Sequence, residues 1–249
     1  MRLDALTQQN GDARAVLIHP DGRSETVGSP LVLGADGAHS RVRESQDIEF
    51  EGSAFPEPWP LYDVEMDDPL DLGGAHISLV EGGLLFLLAV RPGLWRVMSN
   101  LPDPLAHLPI GARQGEVVWN SSFHISHRLA NRLVSGRVAL AGDAAHLHSP
   151  VGARGLNLGI EDAFVFAACA ADALTGRWER LGEYETLRHP VQKQVVDRIH
   201  ALTAFVRGKP DLVGGLRRFL LPGLTKFAPT AHLMARTITG LDHELKTGE

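Results

Sequence analysis

Short apolar runs broken by turn residues fill the first half of the chain, and long apolar-rich stretches fill the second. Ala15-Val16-Leu17-Ile18 runs into Pro20-Asp21-Gly22, and Glu25–Val27 can return as the second strand of a hairpin. Pro30–Gly34 reads as a short buried strand that ends in a glycine-bearing loop. With no parallel strand or crossover helix before it, such a hairpin is expected to be marginal on its own. From about Phe55 to Val118, Leu61–Glu65, His76–Val80, Leu84–Val90 and Trp95–Ser99 are candidate strands. The pairs Gly73-Gly74, Gly82-Gly83 and Pro92-Gly93 punctuate them, which favours an antiparallel or mixed sheet over strand–helix–strand units.

Arg137–Gly142 is another apolar strand closed by glycine, followed by a loop through Pro150 and Gly152. A helix is expected over Leu156–Leu174. Its residues Ala163 to Ala168 are apolar on every side, the pattern of a buried helix. Two more helical stretches are expected over Trp178–Val206 and Leu212–Thr239, broken at Gly208-Lys209-Pro210 and Pro222-Gly223.

The chemistry concentrates where that last strand ends. Gly136-Arg137-Val138-Ala139-Leu140-Ala141-Gly142-Asp143-Ala144-Ala145-His146 leads to Pro150, Gly152 and Gly155-Leu156-Asn157-Leu158-Gly159. A buried strand thus delivers the carboxylate of Asp143 at its carboxyl end, where open α/β sheets place ligands. A carboxylate there suits the hydroxyls of a polyol. Glycines let backbone approach a flat ligand, and the unpaired N–H groups of the following helix favour negative charge. Gly142-Asp143 alone is equally compatible with a plain strand–loop–helix; the ordered run of matching positions is what makes the signal specific.

This run resembles the "GD" motif of the flavin-dependent aromatic hydroxylases, the para-hydroxybenzoate hydroxylase-like FAD monooxygenases. The resemblance implies that Asp143 holds the ribityl part of FAD, with Gly142 beside it among the cofactor-binding candidates. It implies that Pro150, Gly152, Gly155, Leu156 and Asn157 hold the isoalloxazine ring. Gly34-Ala35-Asp36-Gly37-Ala38-His39-Ser40-Arg41-Val42-Arg43 is similar to the family's "DG" motif near the FAD pyrophosphate, which adds Asp36 and Arg43 to the cofactor-binding candidates. Asn120–Arg132 is similar to the family's strand and helix leading into the GD motif. The implied fold is α/β: an incomplete Rossmann-like FAD-binding domain, a mostly antiparallel substrate-covering sheet and C-terminal helices. The implied segments are residues 1–50 (partial FAD domain), 51–125 (sheet), 126–178 (return of the FAD domain) and 179–249 (helical).

Departures qualify the picture. None of the 26 glycines forms a G-x-G triplet, so the strand–G-x-G-x-x-G–helix element that holds the ADP pyrophosphate has no counterpart. Ala153-Arg154 stands where Gly-Gln is usual, and Arg154 is expected to add bulk and charge beside the ring. Ala89 replaces a proline common in the covering sheet. The function implied is FAD-dependent hydroxylation of an aromatic or phenolic small molecule with O₂, NAD(P)H serving as electron donor. The alternative is a non-catalytic remnant, or one half of a split flavoenzyme whose N-terminal half is a separate chain. A homodimer is compatible with either. No side chain is assigned a catalytic role, because the cofactor carries the chemistry. A halogenase or prenyl-reductase reaction on the same fold is disfavoured, since no tryptophan-containing halogenase signature occurs.

Composition narrows the field further. With 24 Lys+Arg against 30 Asp+Glu, the net charge is −6, which argues against a nucleic-acid binder. A single cysteine, Cys169, excludes an internal disulfide and reads as a small buried hydrophobe on a helix. His124, His127, His146 and His148 match no metal-ligand spacing. Asp36, His39 and Ser40 lie too close together for a hydrolase triad. The stripe Leu216, Phe219, Leu220, Leu224 and Phe227 reads as core rather than a membrane or partner surface. The longest apolar run, Leu84–Val90, falls well short of the roughly 20 residues that cross a bilayer, and Met1–Asn10 has no leader-like apolar core; the expectation is a cytoplasmic protein.

Overall fold

The computed structural model describes residues 1–67, 70–80, 82–207, 232, 236, 239–241 and 243–248. The Leu216–Phe227 stripe therefore lies outside the described residues, and so does the expected helix over Leu212–Thr239 apart from His232, Arg236 and Thr239. The chain divides into two compact units, Met1–Ser53 with His127–His200 and Leu233–Glu249, and Ala54–Ser126 with Ala201–His232.

The first unit begins with three antiparallel strands, β1 (Arg2–Gln9), β2 (Asp12–Ile18) and β3 (Ser24–Ser29), in that order across the sheet. The β1–β2 turn is Asn10-Gly11, with φ of 54° and 84°, the left-handed pair that a tight hairpin demands. The expectation of a marginal hairpin is corrected on two counts. The sheet has a third strand, and Leu6 and Ala13 are buried in a core shared with Val42, Ile48, Leu133 and Val138. A fully buried leucine, valine or isoleucine of this kind contributes roughly 1.5–3 kcal/mol.

A second small sheet sets up the site. β4 (Val32–Gly34) runs parallel to β11 (Val138–Leu140), which pairs on its other side with β10 (Val134–Ser135). Val32, Leu33 and Gly34 face Val138, Ala139 and Leu140 in register, and the Ala141 N–H continues the ladder onto the Gly34 carbonyl at 3.0 Å. Gly34 admits no side chain here: a Cβ would stand 2.6 Å from Val42 Cγ1 and 2.9 Å from Leu140 Cδ2. After β4 comes a short helix, α1 (Arg41–Ser45). Two long helices, α2 (Gly155–Leu174) and α3 (Arg180–Arg207), follow β11 and the two-residue strand β12 (His146–Leu147).

α2 departs from expectation. Leu158, Val165, Cys169 and Ala173 are buried, but Leu156 is 78 % exposed, Ile160 58 %, Phe164 59 % and Leu174 55 %. The helix is apolar all round yet covered on one side only among the described residues. Cys169 lies on the covered side as read, and burial pushes its thiol up from the ordinary value.

β5 (Phe50–Met66), β6 (Ala75–Val80), β7 (Gly83–Arg91), β8 (Leu94–Ser99) and β9 (Gln114–Ala130) belong to a sheet of order β12-β9-β5-β8-β7-β6, of which β6, β7 and β8 lie wholly in the second unit. Its pairs β5–β8, β7–β8 and β6–β7 are antiparallel, as the tight glycine turns predict. Val64, Met66, Leu85, Leu87, Trp95 and Val97 form its core. Asn120–Arg132 is not a strand and helix: β9 stays extended to Ala130, because β12 pairs with its end, His146 against Leu129 and Leu147 against Arg128.

Candidate functional site

The parallel pair β4–β11 ends with two loops side by side, Ala35–Gly37 after one strand and Ala141–Asp143 after the other. Together with the first turns of α2 they enclose a cleft of about 500 Å³, lined by Ala35, Gly37, Ala141, Gly142, Asp143, Gly155, Leu156, Gly159, Ile160 and Ala163. Four of the expected residues, Gly142, Asp143, Gly155 and Leu156, thus meet in one place. The walls are bare where a ligand would lie closest. Gly37 and Gly142 have φ of 85° and 58°, and a Cβ on either would meet nothing within 4 Å. Asp143 is an exposed carboxylate at the mouth of this cradle.

The other candidates sit around the cleft rather than in it. Both Asp36 oxygens turn back onto the start of α1: Oδ1 accepts from the Ser40 hydroxyl, and Oδ2 accepts from the Arg41 and Val42 N–H groups at 2.8 and 3.2 Å. Ser40, itself fully buried, accepts from Arg43 N–H at 2.9 Å, so Asp36 and Ser40 cap a helix together. Arg43 joins the two loops, donating through Nη2 to the Ala38 carbonyl (2.9 Å) and through Nη1 to the Ala144 carbonyl (3.0 Å), with its guanidinium over the Phe50 ring. Pro150 and Gly152 form a single 3₁₀ turn capped by the Ser149 hydroxyl. A Cβ on Gly152 would strike Ile199 Cδ1 of α3 at 2.1 Å, so that glycine answers to helix packing. Asn157 is exposed and does not line the cleft.

Ala153 adopts the left-handed conformation (φ 51°) in which the resemblance expects glycine. Arg154, expected to add bulk and charge beside the ring, does not reach this cleft. Its side chain is fully buried beneath the helix start, 3.8 Å from Glu161, and lines no part of the cleft. Arg154 occupies the N-cap of α2 and provides no side-chain cap. The first helix-forming bond runs from Leu158 N–H to the Arg154 carbonyl. By helix geometry the N–H groups of Gly155, Leu156 and Asn157 have no acceptor within α2, which leaves them for a ligand or water.

Sequence reasoning passed over Gly159, Ile160 and Ala163 as site residues. The signal was present: Gly155, Gly159 and Ala163 recur every four residues, a strip of minimal side chains on one helix face. It also passed over a buried polar cluster beneath the cleft, in which Asp162, with no exposed surface, meets His146, Arg188 and Gln192. Burial alone would raise the Asp162 carboxyl, but the His146 bond and the Arg188 charge outweigh it and hold Asp162 below the ordinary carboxylate value. Burial lowers the His148 imidazole from its ordinary value. Among the described residues no three His, Cys, Asp or Glu side chains converge as a metal site, and no helix is long and apolar enough to cross a membrane.

The cleft thus combines an exposed carboxylate, walls bare of side chains and a helix start with unpaired N–H groups. The family model described as FAD binding domain matches residues 1–81 and 105–199. The chain is 34 % identical over 215 residues to 6-methylpretetramide 4-monooxygenase of Streptomyces rimosus, covering 79 % of this chain and 38 % of that protein. It is 32 % identical over 228 residues to pentachlorophenol 4-monooxygenase of Sphingobium chlorophenolicum, covering 83 % and 42 %. The solved structure of OxyS anhydrotetracycline hydroxylase from Streptomyces rimosus superimposes with a TM-score of 0.74 at 27 % identity, over 99 % of this chain and 53 % of that one. The chain therefore spans about half or less of the length of these relatives. A match over most of its length, on a fold and cleft that suit the cofactor, places the chain in the FAD-binding-domain family of the flavin-dependent aromatic hydroxylases.

Proposed function

We propose that this chain is the flavin-holding part of an FAD-dependent monooxygenase that hydroxylates an aromatic or phenolic small molecule, with O₂ as oxidant and NAD(P)H as electron donor. The observation that carries the reading is Asp143 standing at the joint end of β4 and β11, between bare glycine walls and the open start of α2. FAD, when bound, supplies the redox and oxygen chemistry. The chain's own groups bind and orient it. Asp143 accepts from ribityl hydroxyls; Gly37, Gly142, Gly155 and Gly159 let ligand and backbone approach; the Gly155–Asn157 N–H groups favour negative charge on the ring. The printed names of the relatives, monooxygenases acting on a pretetramide and on pentachlorophenol, support an aromatic substrate.

The ADP end of FAD, in this reading, is held by an element outside these 249 residues. Three observations favour this: the sequence has no G-x-G triplet, β4 is the sheet's edge among the described residues, and α2 carries the exposed stripe Leu156, Ile160, Phe164 and Leu174. The same observations favour the second reading, a remnant or half-enzyme without turnover of its own.

Titration of the 249-residue chain with riboflavin and with FAD separates the two ends of the cofactor. The proposal expects saturable binding of both at similar affinity, because the ADP moiety finds few donors. NAD(P)H oxidation stimulated by a phenol, seen only when an ADP-binding segment is supplied, supports the enzyme reading. A protein that binds flavin with such a segment and never oxidises NAD(P)H supports the remnant. Absence of saturable riboflavin binding by a folded chain counts against the cleft assignment.

A further inference from the structure

The cleft's carboxylate belongs to a loop that a second carboxylate holds from below. Asp162 lies two turns into α2 with no exposed surface, and each of its oxygens accepts two hydrogen bonds. Oδ2 takes the Gly142 N–H at 3.1 Å and His146 Nε2 at 2.7 Å. Oδ1 takes Arg188 Nε at 2.8 Å and Gln192 Nε2 at 2.9 Å, both from α3. That is the full accepting capacity of an ionised carboxylate. Protonation or amidation would leave a buried donor facing a donor, which is costly where water cannot substitute.

The four donors differ in what they hold. Arg188 and Gln192 anchor Asp162 to the helix behind it. Gly142 and His146 bracket Asp143, one residue before it and three after. Gly142 is held at φ 58°, a conformation that needs glycine, and a Cβ on Gly159 would touch its Cα at 3.4 Å. α2 and the Gly142 turn are therefore in close contact, and the hydrogen bond from Gly142 N–H to Asp162 ties the turn to that helix. Neutralising Arg188 would explain a buried aspartate, but it gives no reason to collect a backbone N–H and an imidazole from the cofactor loop. His146 in turn donates through Nε2, which sets its tautomer.

We propose that Asp162 is a positioning residue for flavin binding: through Gly142 and His146 it sets where the Asp143 carboxylate stands, with Arg188 and Gln192 as its anchor on α3. The proposal rests on the reading of the cleft as the flavin site. It differs from that reading in naming what would lose function without touching the ligand.

Two measurements test it. Amide exchange of the 249-residue chain, followed by NMR, reads the clamp without any ligand. Asp162→Asn should raise exchange at the Gly142 amide roughly tenfold or more, the worth of one charge-assisted bond. Amides in β1 and β2 should stay as they were. Unchanged protection at Gly142, or loosening spread evenly through the chain, overturns the clamp. Riboflavin affinity across Asp162→Asn, Asp143→Asn and the double variant reads the consequence. If Asp162 acts through Asp143, its substitution weakens binding roughly tenfold in the parent and hardly at all in the Asp143→Asn background. An equal loss in both backgrounds means Asp162 merely supports the fold, which contradicts the proposal. Should no variant and no parent bind riboflavin, the flavin reading fails on its own, and the Gly142 exchange still decides whether the clamp exists.

Discussion

At the scale of single residues, the positions that matter are those where a side chain is forbidden or fully engaged. Gly34 is the clearest of the first kind, wedged between Val42 and Leu140 at distances no Cβ tolerates. Gly34→Ala should destabilise the chain by about 1–3 kcal/mol, the usual cost of overpacking, measured by urea unfolding. Asp143 was legible in the sequence because a short apolar run closed by Gly-Asp announces a strand end, and the chemistry of a carboxylate there follows directly. Asp36 and Arg43 could be singled out from the sequence, but their bonding could not. Whether a carboxylate near a glycine turn faces a ligand or caps a five-residue helix depends on where Ser40 and the Arg41 and Val42 N–H groups point. Asp162 was invisible for a related reason: its partners Arg188 and Gln192 lie 26 and 30 positions away on another helix, a distance no local pattern spans.

Among elements, α2 is the instructive one. An all-apolar helix reads as buried, and half of this helix is. The other half faces outward through Leu156, Ile160, Phe164 and Leu174. Periodicity reports which faces are apolar; it cannot report how many of them find a neighbour. Phe164→Lys therefore should change the unfolding free energy by no more than about 0.5 kcal/mol, as for an ordinary surface site. A loss of about 3–5 kcal/mol, typical of a buried phenylalanine, would show that Phe164 is covered in solution. β9 failed in the opposite sense. Its end was read as helical, but β12 holds it extended to Ala130, a pairing set by two residues that carry no strand signal of their own. The first forty residues read as β structure, but β1 was not placed as a separate strand although Asn10-Gly11 is a strong hairpin signal, because Arg2–Gln9 holds few apolar residues to mark one.

For the whole molecule, stability and binding meet in the buried network below the cleft. The Asp162 carboxyl sits below its ordinary 3.8 in the folded protein. A depressed carboxyl contributes stability that is complete above its unfolded value and is lost as pH falls through the folded one. His148, lowered from 6.5, adds the same sign at higher pH: the unfolded chain takes up that proton first. Unfolding free energy should thus begin to fall as pH drops through about 6.5 and fall more steeply below about 4. Asp162→Asn should make the acid limb shallower and leave the first decline, which a pH series of urea titrations checks.

All of this depends on the cleft beside Asp143 holding the ribityl and ring portion of a flavin, and riboflavin carries that portion without the ADP. The decisive experiment is fluorescence titration of riboflavin into the chain and into Asp143→Ala, both shown folded by circular dichroism. Saturable quenching by the parent is expected, with an affinity lower by roughly 10–100-fold in the variant, the worth of a charge-assisted hydrogen bond. Equal affinity in the two proteins would contradict the flavin site.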